Sequence, residues 1–284
     1  MSGRPPAPNP AGAHFLHDRA LIIQLVRAAG ASNGELVLDL GAGGGAITAR
    51  LAEAGARVIA VERDPRLAAR LRRRFDRDPR VRVVEADLRQ VKLPRREFLV
   101  VASPPFSLTT GLCRRLLGDP RVRLAAAELI IQDGAARWLA SPRPRDAETA
   151  WWTARYEVRL ARTVSAASFT PPPSVAAARL SIRPRPMPAP AQRQLRALLR
   201  AAYRSPGTRA STVLADTGAP GGRRLLIRAN VDPRAMVEQI TAEQWHHLAL
   251  LLAPNKPSTS SGSWRSGQPQ RRLTDHRPDP ARRA

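Results

Sequence analysis

A glycine-rich segment follows the first strongly apolar run of the chain. The segment DLGAGGG begins at Asp39, carries Gly41, Gly43 and Gly45, and continues into AITARLAEAG, which has helical character. Glycines at these positions let the backbone turn sharply and approach a ligand closely. The spacing alone leaves two ligand classes open, because Gly41, Gly43 and Ala46 also satisfy the pattern of a nicotinamide dinucleotide site.

Three acidic residues distinguish these classes. Glu62 ends the next apolar run, where it can accept hydrogen bonds from both ribose hydroxyls, and Asp87 ends the run after that, where it can accept from an adenine amino group. Asp39 suits direct or water-mediated contact with an ammonium group. Each acid alone could be a helix cap or a surface ion pair. Together they would repel a pyrophosphate, so they predict a cationic nucleoside, S-adenosylmethionine.

The fourth apolar run ends in Ser103, Pro104, Pro105 and Phe106. Two prolines make a rigid elbow that fixes the backbone carbonyl between the serine and the aromatic ring. This arrangement resembles the motif of the amino-methyltransferases, in which a side-chain oxygen and a carbonyl accept the two hydrogens of an exocyclic adenine nitrogen and an aromatic ring stacks on the base. The alternative is a proline turn with a core phenylalanine.

Apolar runs alternate with segments of helical character around these residues. A helix from about residue 17 ends at Gly30, and strands are predicted at 36–40, 57–62, 81–87, 98–103 and 127–132, each followed by a helical segment. Such alternation predicts a parallel sheet with helices on both faces, which binds ligands beyond the carboxyl ends of its strands. Two further strands are predicted within 156–169 and 175–183, joined by a proline-rich loop at 170–174.

The predicted domains are an N-terminal arm (1–16), a catalytic domain (17–183), a small helical domain (184–253) and a basic disordered tail (254–284). Short helices are expected after residue 183, the last one starting at a capping box of Thr241 and Gln244. The fold class is therefore α/β, a Rossmann-like S-adenosylmethionine-dependent methyltransferase sheet with a small C-terminal helical domain. The tail is poor in apolar residues and cannot offset its ordering entropy.

The amino-acid composition restricts the kind of binding partner and the cellular compartment that we expect for this chain. The formal net charge is +24 with a pI near 11.8, and every cation except Lys92 and Lys256 is arginine. Arginine pairs with phosphate in a bidentate fork, so a polyanionic partner is predicted, the alternative being a solubilising surface. The single Cys113 excludes an intrachain disulfide and a cysteine zinc site. No metal, no membrane and a cytoplasmic location are expected; His17, His246, His247 and His276 show no ligand spacing.

In order along the chain, the motifs resemble those of the Erm family, the 23S ribosomal RNA adenine-N6 methyltransferases of macrolide, lincosamide and streptogramin B resistance, within the wider group of rRNA adenine dimethyltransferases. The resemblance covers about residues 11 to 253. The motifs are HFL (14–16), DLGAGGG (39–45), VIAVERD (58–64), EADL (85–88), SPPF (103–106), IIQDGAAR (130–137), FTPPPSV (169–175) and TAEQWHHLA (241–249).

The resemblance implies an enzyme that methylates one adenine in the peptidyl transferase region of 23S rRNA. It also implies that the helical domain (184–253) and a basic cleft bind the RNA, and that the protein is a monomer. It implies a catalytic elbow of Ser103, Pro104 and Phe106. The implied cofactor site comprises His14, Leu16, Asp39, Gly41, Gly43, Gly45, Glu62, Asp87, Leu88 and Ser103.

Two positions depart from the family pattern. Ala13 replaces the usual Gln of the arm, and Ser103 replaces the usual Asn of the elbow. The shorter serine hydroxyl predicts a slower enzyme or one that stops after one methyl. Three alternatives stay open: a small-subunit rRNA adenine dimethyltransferase, a non-catalytic RNA protein that binds S-adenosylmethionine, and a DNA amino-methyltransferase, for which a target-recognition region is missing.

Overall fold

A seven-stranded mixed sheet forms the centre of the computed structural model, which describes residues 14–205 and 207–253. The described residues contain two sheets, because β1 and β8 pair only with each other. The strands are β1 (Phe15–Leu16), β2 (Leu36–Leu40), β3 (Arg57–Glu62), β4 (Val81–Glu85), β5 (Phe98–Ala102), β6 (Leu124–Gln132), β7 (Tyr156–Val164), β8 (Phe169–Thr170) and β9 (Ala177–Pro184). The sheet order is β4-β3-β2-β5-β6-β9-β7, parallel from β4 to β6 and antiparallel at β9 and β7. All residues of β2 and β5 are buried, as expected for central strands covered on both faces.

The helices begin and end at recognisable signals. They are α1 (Arg19–Ala29), α2 (Ala46–Glu53), α3 (Pro65–Arg74), α4 (Thr109–Leu117), α5 (Asp133–Leu139), α6 (Ala147–Arg155), α7 (Ala189–Ala202), α8 (Ala210–Asp216), α9 (Gly222–Arg228) and α10 (Ala242–Leu252). The Asp18 carboxylate caps α1, which ends at Gly30 in the left-handed region (φ 76°). Thr241 and Gln244 form the predicted capping box of α10.

All seven strands predicted for the central sheet are present, and the predicted α/β fold class with a Rossmann-like sheet is confirmed. One expectation was wrong: the segment 86–97 between β4 and β5 contains turns and no helix. The Asp87 carboxylate accepts a hydrogen bond from the backbone N–H of Arg89, 2.8 Å away, which offers the backbone an alternative to helix. Pro94 further disfavours a helix, and buried Leu88 and Val91 anchor the turns instead.

The segment 184–253 is helical, as predicted. Leu195 and Leu198 of α7 and Trp245 of α10 belong to one apolar cluster with the sheet residues Leu38 and Leu129. The division at residue 183 stays a prediction. The predicted tail, His276 and Ala13 lie outside the described residues. Within the described part of the chain, no helix is long and apolar enough to cross a membrane.

Candidate cofactor and substrate site

A cavity of about 420 Å³ lies beyond the carboxyl ends of β2 to β5, where open α/β sheets bind ligands. Its wall contains seven of the predicted site residues: His14, Gly41, Gly43, Glu62, Asp87, Leu88 and Ser103. Five others lie beside or beneath it: Leu16, Asp39, Gly45, Pro104 and Phe106. The structure therefore brings residues from five separate segments into one site.

The glycine turn requires glycine for both conformation and space. Gly41, Gly43 and Gly45 have φ values of 86°, 53° and 79°. A Cβ atom on Gly43 would lie 2.9 Å from the Phe15 ring, and one on Gly45 would lie 2.7 Å from Leu71. The turn is thus packed against the arm on one side and α3 on the other.

Glu62 joins the glycine turn to the start of α3. Its Oε2 atom accepts from the backbone N–H of Gly43 at 2.8 Å, and its Oε1 atom accepts from the N–H of Asp64 at 2.9 Å. Each carboxylate oxygen has a further lone pair. The carboxylate is therefore fixed in direction and can still accept hydrogen bonds from two ribose hydroxyls.

Asp87 lines the cavity and is paired with Arg89. Its Oδ1 and Oδ2 atoms accept from the Arg89 side chain at 2.6 to 3.0 Å. These hydrogen bonds, with a smaller contribution from the Arg63 charge, lower the pKa of Asp87 to about 2. Asp87 therefore stays a charged acceptor at neutral pH, as contact with an adenine amino group requires.

Asp39 is fully buried and does not line the cavity. Its Oδ2 atom accepts from the Thr48 hydroxyl at 2.6 Å, while its Oδ1 atom has no partner among the described residues. Burial raises the pKa of this carboxyl to about 7. The residue lies in β2 behind the glycine turn, so of the two contacts predicted for it the water-mediated one fits this position better.

The proline elbow borders the cavity and carries two free hydrogen-bond acceptors. Ser103 and Pro105 line the cavity. Among the hydrogen bonds of the described residues, none uses the Ser103 hydroxyl or the carbonyl oxygen of Pro104. A buried Pro104 fixes that carbonyl next to the glycine turn. Two acceptors are therefore available for an amino group.

Phe106 lies between the arm and the proline-rich loop. Its ring centroid is 5.9 Å from that of His14 and 6.4 Å from that of Phe169, the latter at an interplanar angle of 83°. His14 Nδ1 is 2.9 Å from the carbonyl oxygen of Pro171, and β1 pairs antiparallel with β8. The arm and the proline-rich loop thus form one wall beside the elbow.

Sequence reasoning missed several residues of the cavity wall, including Phe15, Arg63, Asp64, Leu67 and Ser107. Arg63 and Asp64 directly follow Glu62, so a search along the segment after each predicted strand would have found them. The pairing of β1 with β8 had no signal, because each strand has only two residues.

The sequence model of the family described as ribosomal RNA adenine dimethylase matches residues 9–254. The chain belongs to this family. Membership confirms the predicted family group and cofactor class, since ribosomal RNA adenine dimethylases are S-adenosylmethionine-dependent methyltransferases. The Rossmann-like sheet described above is the fold that this chemistry uses in the family.

Relatives within the family carry different names. The mycinamicin-resistance protein MyrB of Micromonospora griseorubida is 35% identical over 84% of this chain and 76% of its own length. Ribosomal RNA small subunit methyltransferase A of Gloeobacter violaceus is 31% identical over 85% of this chain and 92% of its own. The crystal structure of the 23S rRNA methyltransferase ErmE is similar with a TM-score of 0.72 and 26% identity, over 84% of this chain and 99% of that one.

Other curated relatives match over a shorter stretch. The chain spans 61% of the length of the rRNA adenine N-6-methyltransferase of Bacillus licheniformis, to which it is 30% identical over 62% of its own residues. The family is therefore shown, while the target within ribosomal RNA is a separate question.

The residues of the cavity fit the family's cofactor. Glu62 offers two fixed acceptors to ribose hydroxyls, Asp87 is charged, and Gly41 and Gly43 line the cavity without side chains. The buried, unpartnered Oδ1 atom of Asp39 adds an acceptor behind the turn. Among residues 14–205 and 207–253, no group of His, Cys, Asp and Glu could hold a metal ion.

Proposed function

We propose that this protein transfers a methyl group from S-adenosylmethionine to N6 of one adenine in the peptidyl transferase region of 23S rRNA. The consequence would be resistance to macrolides, lincosamides and streptogramin B. The observation that carries the proposal is the elbow: Ser103 lines the cavity together with Glu62 and Asp87, and neither the Ser103 hydroxyl nor the adjacent Pro104 carbonyl has a hydrogen-bond partner among the described residues. The name of MyrB and the likeness to ErmE support the 23S target.

The residues of the elbow would prepare a weak nucleophile. The N6 lone pair of adenine is delocalised into the ring, and hydrogen bonds from both amino hydrogens to Ser103 Oγ and the Pro104 carbonyl favour a pyramidal nitrogen. S-adenosylmethionine, held by Glu62, Asp87 and the glycine turn, would supply a methyl group on a positively charged sulfur and would leave as the neutral thioether. The amino group held by Ser103 and Pro104 would accept that methyl group and release one proton to water.

Phe106 would hold the base in line. An adenine extruded from RNA can stack on an aromatic ring, which contributes about 1–3 kcal/mol per base. His14 and Phe169 fix the orientation of the Phe106 ring from two sides. Positioning of this kind accounts for much of the rate when no group of the protein forms a covalent intermediate. We further propose a monomer located in the cytoplasm, with RNA bound by the basic helical segment.

A second target is favoured by one observation. The small subunit methyltransferase A of Gloeobacter violaceus matches this chain over 92% of its own length, which supports methylation of small-subunit rRNA. The replacement of Asn by Ser103 supports a third possibility, cofactor binding without transfer.

One experiment separates these functions. Methyl-labelled S-adenosylmethionine is incubated with the protein and either protein-free 23S rRNA or intact small subunits, and reverse transcription locates the modified adenine. Label at one adenine of the peptidyl transferase region supports the main proposal, and label only on small subunits supports the second target. Absence of label with cofactor still bound would support the non-catalytic alternative.

A further inference from the structure

An open groove of about 360 Å³ lies between α6 and α7 at the far end of α4 from the cavity. Residues 103 and 107 line the cavity just before α4, and Gly118, which follows α4, lines the groove. A nine-residue helix is roughly 13 Å long. The groove is therefore separate from the proposed methyl-transfer site.

Two guanidinium groups contact the same indole ring at this groove. The Cζ atoms of Arg155 and Arg196 lie 4.5 Å and 4.6 Å from the ring centroid of Trp151. The indole is held in place, since its Nε1–H donates to the carbonyl oxygen of Gly118 at 2.8 Å. Trp151 thus anchors two like charges close together.

Arg155 is buried without a carboxylate. It is 6% exposed, and its Nη1 atom donates to the carbonyl oxygen of Leu117 at 2.6 Å. Burial and the nearby Arg196 charge lower the pKa of Arg155. Asp119 acts on this guanidinium only from beyond ion-pair distance. A buried cation without a carboxylate in ion-pair contact is costly, and an anion close to it would reduce that cost.

The acidic side chains near the groove are paired with other arginines. Glu148 accepts from Arg114 at two distances of 2.7 Å, and Asp119 is paired with Arg121. Among the described residues, no carboxylate forms a salt bridge with Arg155, Arg196 or Arg200. The groove therefore has an excess of positive charge.

A further unpartnered donor supports an anionic ligand. Trp152 lines the groove and is fully buried, and its Nε1–H has no hydrogen-bond partner among the described residues. Arg200 lies one helical turn beyond Arg196 on α7, so both side chains project from the same face. Arg196, Arg200 and the Trp152 side chain thus line one open space, and Arg155 lies behind its wall in contact with Trp151.

From this arrangement we infer that the groove binds a backbone phosphate of the RNA partner. The inference rests on the proposed function for the identity of that partner. Arginine binds phosphate through a planar fork, and the groove is open along its length, which suits a phosphate that belongs to a chain. An RNA held at the cavity would then have a second contact at the other end of α4.

The test compares two double variants with equal loss of charge. R196Q/R200Q removes the two exposed arginines of the groove, whereas R27Q/R57Q removes exposed arginines of α1 and β3 that lie outside the helical segment and do not line the groove. Binding of a labelled RNA fragment of the target region is measured by anisotropy over a range of salt concentrations. The slope of log affinity against log salt should decrease by about one per lost phosphate contact.

A smaller slope for R196Q/R200Q than for R27Q/R57Q supports the inference, and equal slopes for the two variants overturn it. In a second experiment, inorganic phosphate competes with RNA. If phosphate binds the groove but the salt slope for RNA is the same in R196Q/R200Q and in the wild type, the groove is a site for free anions. This result would also overturn the inference. If circular dichroism shows that R196Q/R200Q is less folded than the wild type, the single variant R200Q replaces it in the binding test. Arg200 contacts no aromatic ring in the described residues, so its loss should not disturb the packing of Trp151. A wild-type protein that binds RNA with the expected slope but transfers no methyl group would contradict the proposed function only.

Discussion

A Cβ atom on Gly41 would lie 3.4 Å from the Cα atom of Pro104, so the glycine turn and the proline elbow touch through their backbones. The two segments are adjacent because β2 and β5 are neighbours in the sheet. Their separation along the chain is 63 residues, and the sheet alone brings them together. Any shift of one segment therefore changes the position of the other.

Replacement of Gly41 by alanine should weaken both the fold and the cofactor site. Gly41 has a φ of 86°, and a side chain there would meet the elbow. Left-handed strain of this kind costs roughly 1–3 kcal/mol. We expect a lower melting temperature and weaker binding of S-adenosylhomocysteine by calorimetry. Gly44→Ala is the matched control, because no atom lies within 4 Å of its Cβ position; an equal loss in both variants would contradict the packing argument.

Asp39 should make the protein less stable as the pH rises from about 4 to about 7. The pKa of this carboxyl is raised from 3.8 to about 7 by burial, so the folded state holds a proton that the unfolded chain has lost. The stabilising effect is complete below pH 3.8 and lost as the pH passes 7. The free energy of unfolding should fall by at most about 4 kcal/mol across this window.

The measurement is urea unfolding at several pH values for the wild type and Asp39→Asn. The amide does not titrate, so the variant should show a flatter dependence on pH than the wild type. Parallel curves for the two proteins would show that Asp39 has an ordinary pKa.

Asp87→Asn should lower cofactor affinity by roughly 10- to 100-fold, the loss expected for one hydrogen bond to a charged group. Asp119→Asn is a close control. Asp119 is paired with Arg121 as Asp87 is with Arg89, but it does not line the cavity. Titration calorimetry with S-adenosylhomocysteine should show a change for Asp87→Asn only. A similar loss for both variants would assign the effect to the lost ion pair.

Ser103→Asn should increase the rate of methyl transfer, since the longer amide side chain places its acceptor closer to the substrate amino group. Ser103→Ala should reduce the rate by roughly 10- to 100-fold through loss of that acceptor. Ser107→Ala, which changes another serine of the cavity wall, should leave the rate unchanged. Single-turnover transfer to 23S rRNA is the readout, and an inactive Ser103→Asn protein would argue against the assigned role of Ser103.

The parts of the fold with strong local patterns could be predicted from sequence. The runs at 36–40 and 57–62 match β2 and β3 at both ends, because buried parallel strands are continuous apolar runs. The segment 86–97 could not be predicted in the same way, because its turn depends on the side chain of Asp87 contacting the backbone.

The residues of the site also differ in how far the local sequence pattern predicts them. Glu62 and Asp87 were found because they come directly after strands whose carboxyl ends meet at one edge. The burial of Asp39 behind the turn and the pairing of Asp87 with Arg89 depend on tertiary packing and on side-chain geometry. No residue spacing along the chain encodes the burial of Asp39, whereas the pairing of Asp87 with Arg89 follows a two-residue spacing that recurs at Asp119 and Arg121.

The pairing of β1 with β8 has a consequence for synthesis of the protein. Phe15 lies opposite Thr170, and His14 contacts the carbonyl oxygen of Pro171. A nascent chain that has emerged only as far as β6 already contains the glycine turn, Glu62, Asp87 and the elbow, but it lacks the strand with which the arm pairs. The arm therefore gains its strand partner late in translation, once more than half of the polypeptide has been synthesised.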